Sequence, residues 1–492
     1  MRVTNQMITN NTLSSINKNK VTMSKLEEQY NSGKKIQRPS DDPIVAVRAL
    51  KLRTTLTEIN QYLGKNIPDA RSWMERSQSA IDNVNSILKS MNTYCVQGAQ
   101  DSLTVNDRNS ILQNLTQLKE QIYSEGNAEY AGRYVFTGYK TDSTLTFMEA
   151  REDISYSITQ SFSGSDVKHM KAVIPAGQNV ADPDTTSAAI HETYRIQLAY
   201  SKCDTTAVGN LSNISYTAQD GTNGTIAITK SITSDDPTAY QPGDDEVYYL
   251  ADTGELVLGK DRAKTLSDAS DISFSYEKSS FAKGELKPED YFTCTATYKD
   301  QNGNAIKTLA FEPKKQEITY EVNFSQSIQV NVQGKDVIRH NVGRMIDDIT
   351  TAISNVQKVE DQIADIENKL KDTTLSQDKI DEYNAQKEAL DVELTLRKSV
   401  MQEAFGAGIT VTQDEQSFVN VAASDLGSRI NRLDLTEARL EEQQVQFEEL
   451  KSTNEDVDLV ETIIRYSSAD AIYTASLSAA AKIVKNSLLD FL

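Results

Sequence analysis

The residue types that most often carry chemistry are sparse in this chain and badly spaced for it. Cys95, Cys203 and Cys294 lie far apart, and no Cys-x-x-Cys pair exists. That spacing argues against a disulfide framework or a cysteine zinc site. His169, His191 and His340 are equally scattered. His191-Glu192 opens like a zinc-protease helix, but Arg195 stands where the second histidine would be. Gly254 to Lys260 spells most of a phosphate-binding loop. Asp261 follows where a hydroxyl should reach magnesium, and Glu255-Leu256-Val257-Leu258 alternates like one arm of a hairpin. Gly406-x-Gly408 is followed by Val411, so a dinucleotide fingerprint fails. No two glycines are four apart, which removes the nucleophile elbow. Asp300-x-Asn302-Gly303-Asn304 resembles a calcium loop, but Phe311 replaces the closing glutamate. The expectation is a protein with no catalytic residue, no metal and no cofactor.

The elements around these residues explain the poverty of chemistry. The chain has 492 residues, of which 38% are hydrophobic and 7% aromatic, with one tryptophan and nine prolines. Long helices burying narrow stripes fit this composition better than one thick core. The net charge of −20 argues against bulk binding to nucleic acid or to an anionic membrane surface. The start, Met1-Arg2-Val3-Thr4-Asn5, has no apolar run like a signal peptide, so any export would use a route without one.

Both ends read as helical. Ser40-Asp41-Asp42-Pro43 predicts a helix start with Ser40 as the cap, and Val47, Leu50 and Thr54 follow as its stripe. After Pro68, the residues Trp73, Ser77, Ile81, Val84, Leu88, Met91 and Cys95 step by alternating threes and fours. That rhythm marks a seam along a partner helix. Near the other end, Leu426, Ile430, Leu433, Glu437, Leu440, Gln444 and Phe447 form a second seam. Val457, Val460, Ile464, Ser467, Ala471 and Thr474 continue it, and Leu477 to Leu488 and Phe491 carry it onward. The predicted arrangement sets the Leu88–Met91 stripe against the Leu440–Phe447 stripe within one subunit. The outermost ends carry small or polar seam positions and are expected to be marginal as isolated helices. Residues 1–60 hold 10 basic and 5 acidic side chains, while residues 434–462 hold 2 and 10, so the two ends favour mutual pairing.

Between the ends, residues 132 to 340 alternate with period two and are rich in Thr, Ser and Tyr. Hairpins are predicted at 246–258 and 291–311, with further strands at 318–322 and 328–332. From 342 to 405 helices return, with a turn near Asp372-Thr373-Thr374 and a break at Gly406-Ala407-Gly408. The fold class is α+β: a long antiparallel helical coiled coil or bundle from both terminal segments, with an inserted β-rich outer domain.

Several motifs resemble one family. Arg38-Pro39-Ser40-Asp41-Asp42-Pro43, the start Met1 to Met7, and Asn127-x-x-Tyr130-x-Gly132-Arg133-Tyr134-Val135-Phe136-Thr137-Gly138 are similar to flagellar hook-associated protein 3. So are Asp425 to Leu433 and the closing Leu488-Leu489-Asp490-Phe491-Leu492. The resemblance covers about residues 1–140 and 410–492. Flagellin shares the terminal layout, but it usually carries a Lys-Asp-Asp-Ala-Ala-Gly run where Arg38 to Pro43 stand here. Asn92 replaces the arginine of flagellin's immune-recognition segment, so that recognition is not carried over.

The resemblance implies a junction layer between hook-associated protein 1 and the flagellin filament. It also implies self-association in a ring, contact with the filament cap protein, and an export chaperone. Export would leave the chain outside the cell, without a cleaved signal. Three regions are expected. Residues 1–39 with 456–492 would line the tube. Residues 40–145 with 341–455 would form the bundle, with a hairpin near 133–147. Residues 146–340 would form the outer domain. Arg38, Asp41, Asp42, Leu88, Met91, Leu440, Phe447, Leu488 and Phe491 are the expected assembly and packing residues. Flagellin itself and a coiled-coil surface adhesin are the alternative readings.

Overall fold

A computed structural model describes residues 5–180, 187–300, 302–372 and 374–489. The helices are α1 (Asn5–Ser32), α2 (Pro43–Gln61), α3 (Ile67–Gly98), α4 (Val105–Glu125), α5 (Lys260–Ser267), α6 (Asn341–Leu370), α7 (Gln377–Glu455) and α8 (Leu459–Leu489). The strands are β1 (Glu129–Tyr130), β2 (Arg133–Tyr134), β3 (Ile154–Phe162), β4 (Lys168–Ile174), β5 (Ala189–Gln197), β6 (Ile214–Ala218), β7 (Asn223–Ile226) and β8 (Lys230–Ile232). They continue with β9 (Val247–Leu250), β10 (Glu255–Leu258), β11 (Ala269–Lys278), β12 (Thr293–Lys299), β13 (Ala305–Phe311), β14 (Thr319–Asn323) and β15 (Gln326–Gln329). The α+β class, with long helices from both ends and a strand-rich middle, is what the patterning predicts. The chain forms two compact units: residues 1–70, 320–328 and 431–492, and residues 71–319 and 329–430.

In the first unit, α2 starts two residues later than its motif suggests. Asp42, not Ser40, caps it, accepting from the Ile44 and Val45 amides at 3.0 and 3.1 Å. Pro43 occupies the first helical position and so assigns the cap to the residue before it. The face that α2 buries also differs from the expected one. Ala46, Ala49, Leu56 and Ile59 are buried, whereas Val47 and Leu50 are 66% and 63% exposed. Small residues let a neighbouring helix approach closely, so the alanine side takes the intramolecular contact. Helix α1 lies along α8, with Asn19 donating to Ser476 at 3.0 Å. The hairpin β14–β15 sets Phe324 edge-on to Tyr62 at 5.6 Å, and Asn66 donates to the Glu321 carbonyl.

In the second unit, all seven seam residues of α3 from Trp73 to Cys95 are buried. Asn85 donates to Asn420 at 2.8 Å, and Asn92 to Thr412 at 2.8 Å, so α3 and α7 run antiparallel in that register. Helix α7 passes through Gly406 and Gly408 without the expected break. Gly408 is a tight crossing and not a turn, whereas Gly406 faces open space. A Cβ at Gly408 would sit 3.0 Å from the Cys95 sulfur and 3.2 Å from the Met345 sulfur, and one at Gly98 would collide with the Phe405 ring. The helical hairpin of α6 and α7 is present, tied by ion pairs Lys387–Glu367 at 2.6 Å and Lys398–Glu360 at 2.9 Å.

The strands make a five-stranded sheet, β4-β5-β10-β9-β8, and a six-stranded sheet, β13-β12-β3-β11-β6-β7. Ile158, Ile196, Ile214, Tyr249, Leu256, Phe274 and Ala296 belong to their shared core. The β9–β10 hairpin pairs as its sequence predicts, turning at Gly254 with φ +64°. It is buried on both faces instead of one, because Ala239 and Tyr240 cover Tyr248, Leu250 and Val257. The small hairpin β1–β2 lies at 129–134, a little before the expected 133–147.

Candidate assembly surface

The three cysteines, His340 and Arg195 are committed to packing and pairing. Burial pushes the thiols of Cys95 and Cys294 up to about 12 and that of Cys203 up to about 11, so none is a poised nucleophile. His340 is boxed by Tyr200 and Tyr291 at 4.7 Å and Phe292 at 5.3 Å. Burial, with Arg344 nearby, pushes its imidazole down to about 3. Arg195, which broke the zinc-protease pattern, bridges Glu255 and Asp348, the latter at 2.6 Å. Among the described residues no His, Cys, Asp or Glu cluster could hold a metal ion. No described helix is long and apolar enough to cross a membrane.

The geometry that invites a function is in the first unit. Its inner seam is mixed, with polar and small positions between a few larger ones, and most of it is only half-buried. Along α1, Thr9, Thr12, Ile16, Asn19, Met23, Leu26 and Gln29 are its less exposed positions. Along α8 they are Thr462, Tyr466, Ala469, Tyr473, Ser476 and Ala480. Many of the large apolar side chains point elsewhere. Met7, Leu13 and Val21 of α1 are exposed, as are Val460, Ile464, Ile472 and Leu477 of α8. The stripe predicted from Val460 and Ile464 is thus real as a stripe but is not the seam between α1 and α8. Exposed apolar stripes of this length mark surfaces meant to be covered.

A clasp joins the segment after α1 to the junction of α7 and α8. Lys35 donates its amide to the Glu455 carbonyl at 2.7 Å, and Val457 donates to the Gly33 carbonyl at 3.0 Å. The Glu455 carboxylate is buried and accepts two bonds from Arg53 at 2.7 and 2.6 Å, with Lys34 at 3.6 Å. The Arg53 guanidinium holds the Glu455 carboxyl below the usual carboxylate range. Lys34 also pairs with Asp456 at 2.5 Å. The charge asymmetry of the two ends signals this clasp, but no motif singles out Glu455.

The expected site residues fall as follows. Asp41 closes the turn before α2, accepting from the amides of Gln37 and Arg38 at 3.1 and 2.9 Å. The Arg38 side chain is exposed, and Asp42 is the cap already described. Leu88 and Met91 are buried on α3 between the two contacts to residues 412 and 420 of α7. Leu440 is buried and Phe447 half-buried, on the stretch of α7 where Gln444 donates to Asn60 of α2 at 2.8 Å. The expected facing of Leu88–Met91 by Leu440–Phe447 is therefore corrected: each stripe has a helical partner, but each partner is a different segment. The antiparallel register, read from Asn92–Thr412 and Asn60–Gln444, accounts for it. Phe491 and the Leu488 side chain lie outside the described residues.

Residues 3–141 match the bacterial flagellin N-terminal helical region, and residues 409–492 the bacterial flagellin C-terminal helical region. Over 145 residues, 29% of its length, the chain is 30% identical to flagellar hook-associated protein 3 of Salmonella typhimurium, covering 45% of that protein. Over 231 residues it is 27% identical to a flagellin of Clostridium tyrobutyricum, covering 46% of this chain and 59% of that one. The matched stretches thus span less than two thirds of either relative. Among solved structures, Xanthomonas campestris FlgL aligns at 12% identity with a TM-score of 0.34, over 82% of this chain and 99% of that chain. At both ends, and in the same order, this chain resembles the flagellin-like proteins of the bacterial flagellum, flagellar hook-associated protein 3 among them.

Proposed function

We propose that this chain is a non-enzymatic building block of the bacterial flagellum, seated between hook-associated protein 1 and the flagellin filament. The observation that carries this reading is the outward placement of large apolar residues on α1, α2 and α8, with a mixed and mostly half-buried seam between α1 and α8. A helix pair built this way lacks enough internal burial to be stable alone and gains it from neighbours. Residues 1–39 and 456–492 would line the tube, and residues 146–340 would form the outer domain. Copies would close into a ring, in contact with the filament cap protein while the filament starts. An export chaperone would cover the apolar ends before the chain leaves the cell.

A second reading, a filament subunit, is favoured by the longer match to the Clostridium flagellin. Deleting the gene in its host separates the two. A junction protein leaves hooks without filaments and flagellin shed into the medium. A filament subunit leaves hooks without filaments and no flagellin of this size in the medium. Hooks bearing normal filaments would contradict both.

A further inference from the structure

Two faces of the first unit carry opposite charge and point away from the seam that joins their helices. On α2 the inner side is Ala46, Ala49, Leu56 and Ile59, and the outer side is Ile44, Val47, Arg48, Leu50 and Lys51. On the end of α7 the inner side holds Leu433 and Leu440, both fully buried. Its outer side runs Leu435, Ala438, Glu442, Val445, Glu449 at 3–4 spacing, with Glu441 and Glu448 on one flank and the single base Arg439 on the other. Leu435 and Val445 are 71% and 64% exposed, as open as Ile44 and Val47 on α2. Among the described residues Arg48, Lys51, Glu441, Glu448 and Glu449 have no ionic partner.

We infer that the basic, apolar face of α2 in one copy docks on the acidic, apolar face of α7 in the next copy of this chain. The inference rests on the reading of the chain as an assembling subunit and names the contact. Within one copy the two faces cannot meet, because α2 and α7 already touch through their opposite sides, at Asn60–Gln444 and at Val45–Asn454. Only a second copy brings the basic stripe to the acidic one. The contact joins two different patches, so it is head-to-tail and repeats, closing into a ring or winding into a helix. Apolar burial at its centre supplies the affinity, and the flanking charges set partner and register. Copies of a chain with net charge −20 repel one another, and the positive excess of residues 1–60 gives that repulsion a local exception.

Engineered cysteines test this directly, since Cys95, Cys203 and Cys294 are buried and do not compete. Full-length Lys51→Cys and Glu442→Cys chains are mixed at low salt, oxidised, and resolved without reductant; both positions are exposed, so folding is preserved. The same pair is examined in flagella sheared from cells expressing both variants. The expected result is a mixed dimer exceeding either like-with-like dimer by about tenfold, with a yield that falls as added salt screens the charges. Equal yields of all three dimers, or no mixed dimer in either preparation, would overturn the inference. Attachment of Lys51→Cys to a different flagellar protein in its place would overturn it as well. If the chain sits in the flagellum but the mixed dimer is absent, only this contact fails. If the mixed dimer forms but the chain never enters a flagellum, the contact stands and the proposed function fails.

Discussion

At the residue scale, two buried ionisable groups give measurable consequences. His340 stays neutral in the folded chain down to about 3, because burial among Tyr200, Tyr291 and Phe292, and the charge of Arg344, oppose protonation. In the unfolded chain it takes a proton near its ordinary value of 6.5. Between those values the unfolded state binds more protons, so stability is fully present above about 6.5 and falls as pH drops. Urea titrations from neutral to acid pH should show that loss. The His340→Phe variant should flatten the slope by up to about 1.4 kcal/mol per pH unit. An unchanged slope would mean the imidazole is solvated. Glu455 acts in the same direction: its carboxyl is held low by Arg53, so its contribution is present at neutral pH and lost in acid. Arg53 is over half exposed, which discounts the pair. Arg53→Ala should still cost about 1–2 kcal/mol, since the carboxylate left behind is buried. It should also speed amide exchange near residues 33–35 and 455–457. Exchange as slow as in the parent chain would show that the clasp holds without the guanidinium.

At the element scale, legibility depends on whether a seam is closed within the chain. The α3 stripe was readable in full from its 3–4 rhythm, because each of its positions packs internally. The α2 stripe was misassigned for the converse reason. Val47 and Leu50 look like core but are exposed, and an apolar side chain in a sequence does not say which molecule covers it. Gly406 and Gly408 suggested a break, because glycine is rare inside helices for want of helix propensity. Here Gly408 admits Cys95 and Met345, and Gly98 admits Phe405, which no local pattern records. Gly98→Ala should therefore lower the melting temperature, with a cost of about 1–3 kcal/mol from overpacking. The gain of about 1 kcal/mol in helix propensity should not offset it. A higher melting temperature would show that the Phe405 ring moves aside freely. For α1 and α8, the mostly half-buried inner seam predicts near-complete amide exchange within seconds in the isolated chain, while α3 stays protected. Slow exchange in both terminal helices would refute the claim that neighbours complete them.

At the scale of the whole molecule, the two ends and the middle follow different rules. The ends carry motifs that resemble a family, over residues 3–141 and 409–492. The middle was readable as strands and hairpins but not as two sheets. Its pairings, such as β3 with β11 and β12 or β5 with β10, join segments distant in the chain. Among the described residues there, Arg195, His340, Cys203 and Cys294 serve packing and pairing. The central claim, a subunit of the layer between hook-associated protein 1 and the filament, is tested most directly by immunogold labelling of intact flagella with antibody against residues 146–340. The account predicts gold confined to a narrow collar at the distal end of each hook. Label along the length of the filament, or none on the flagellum, would contradict it.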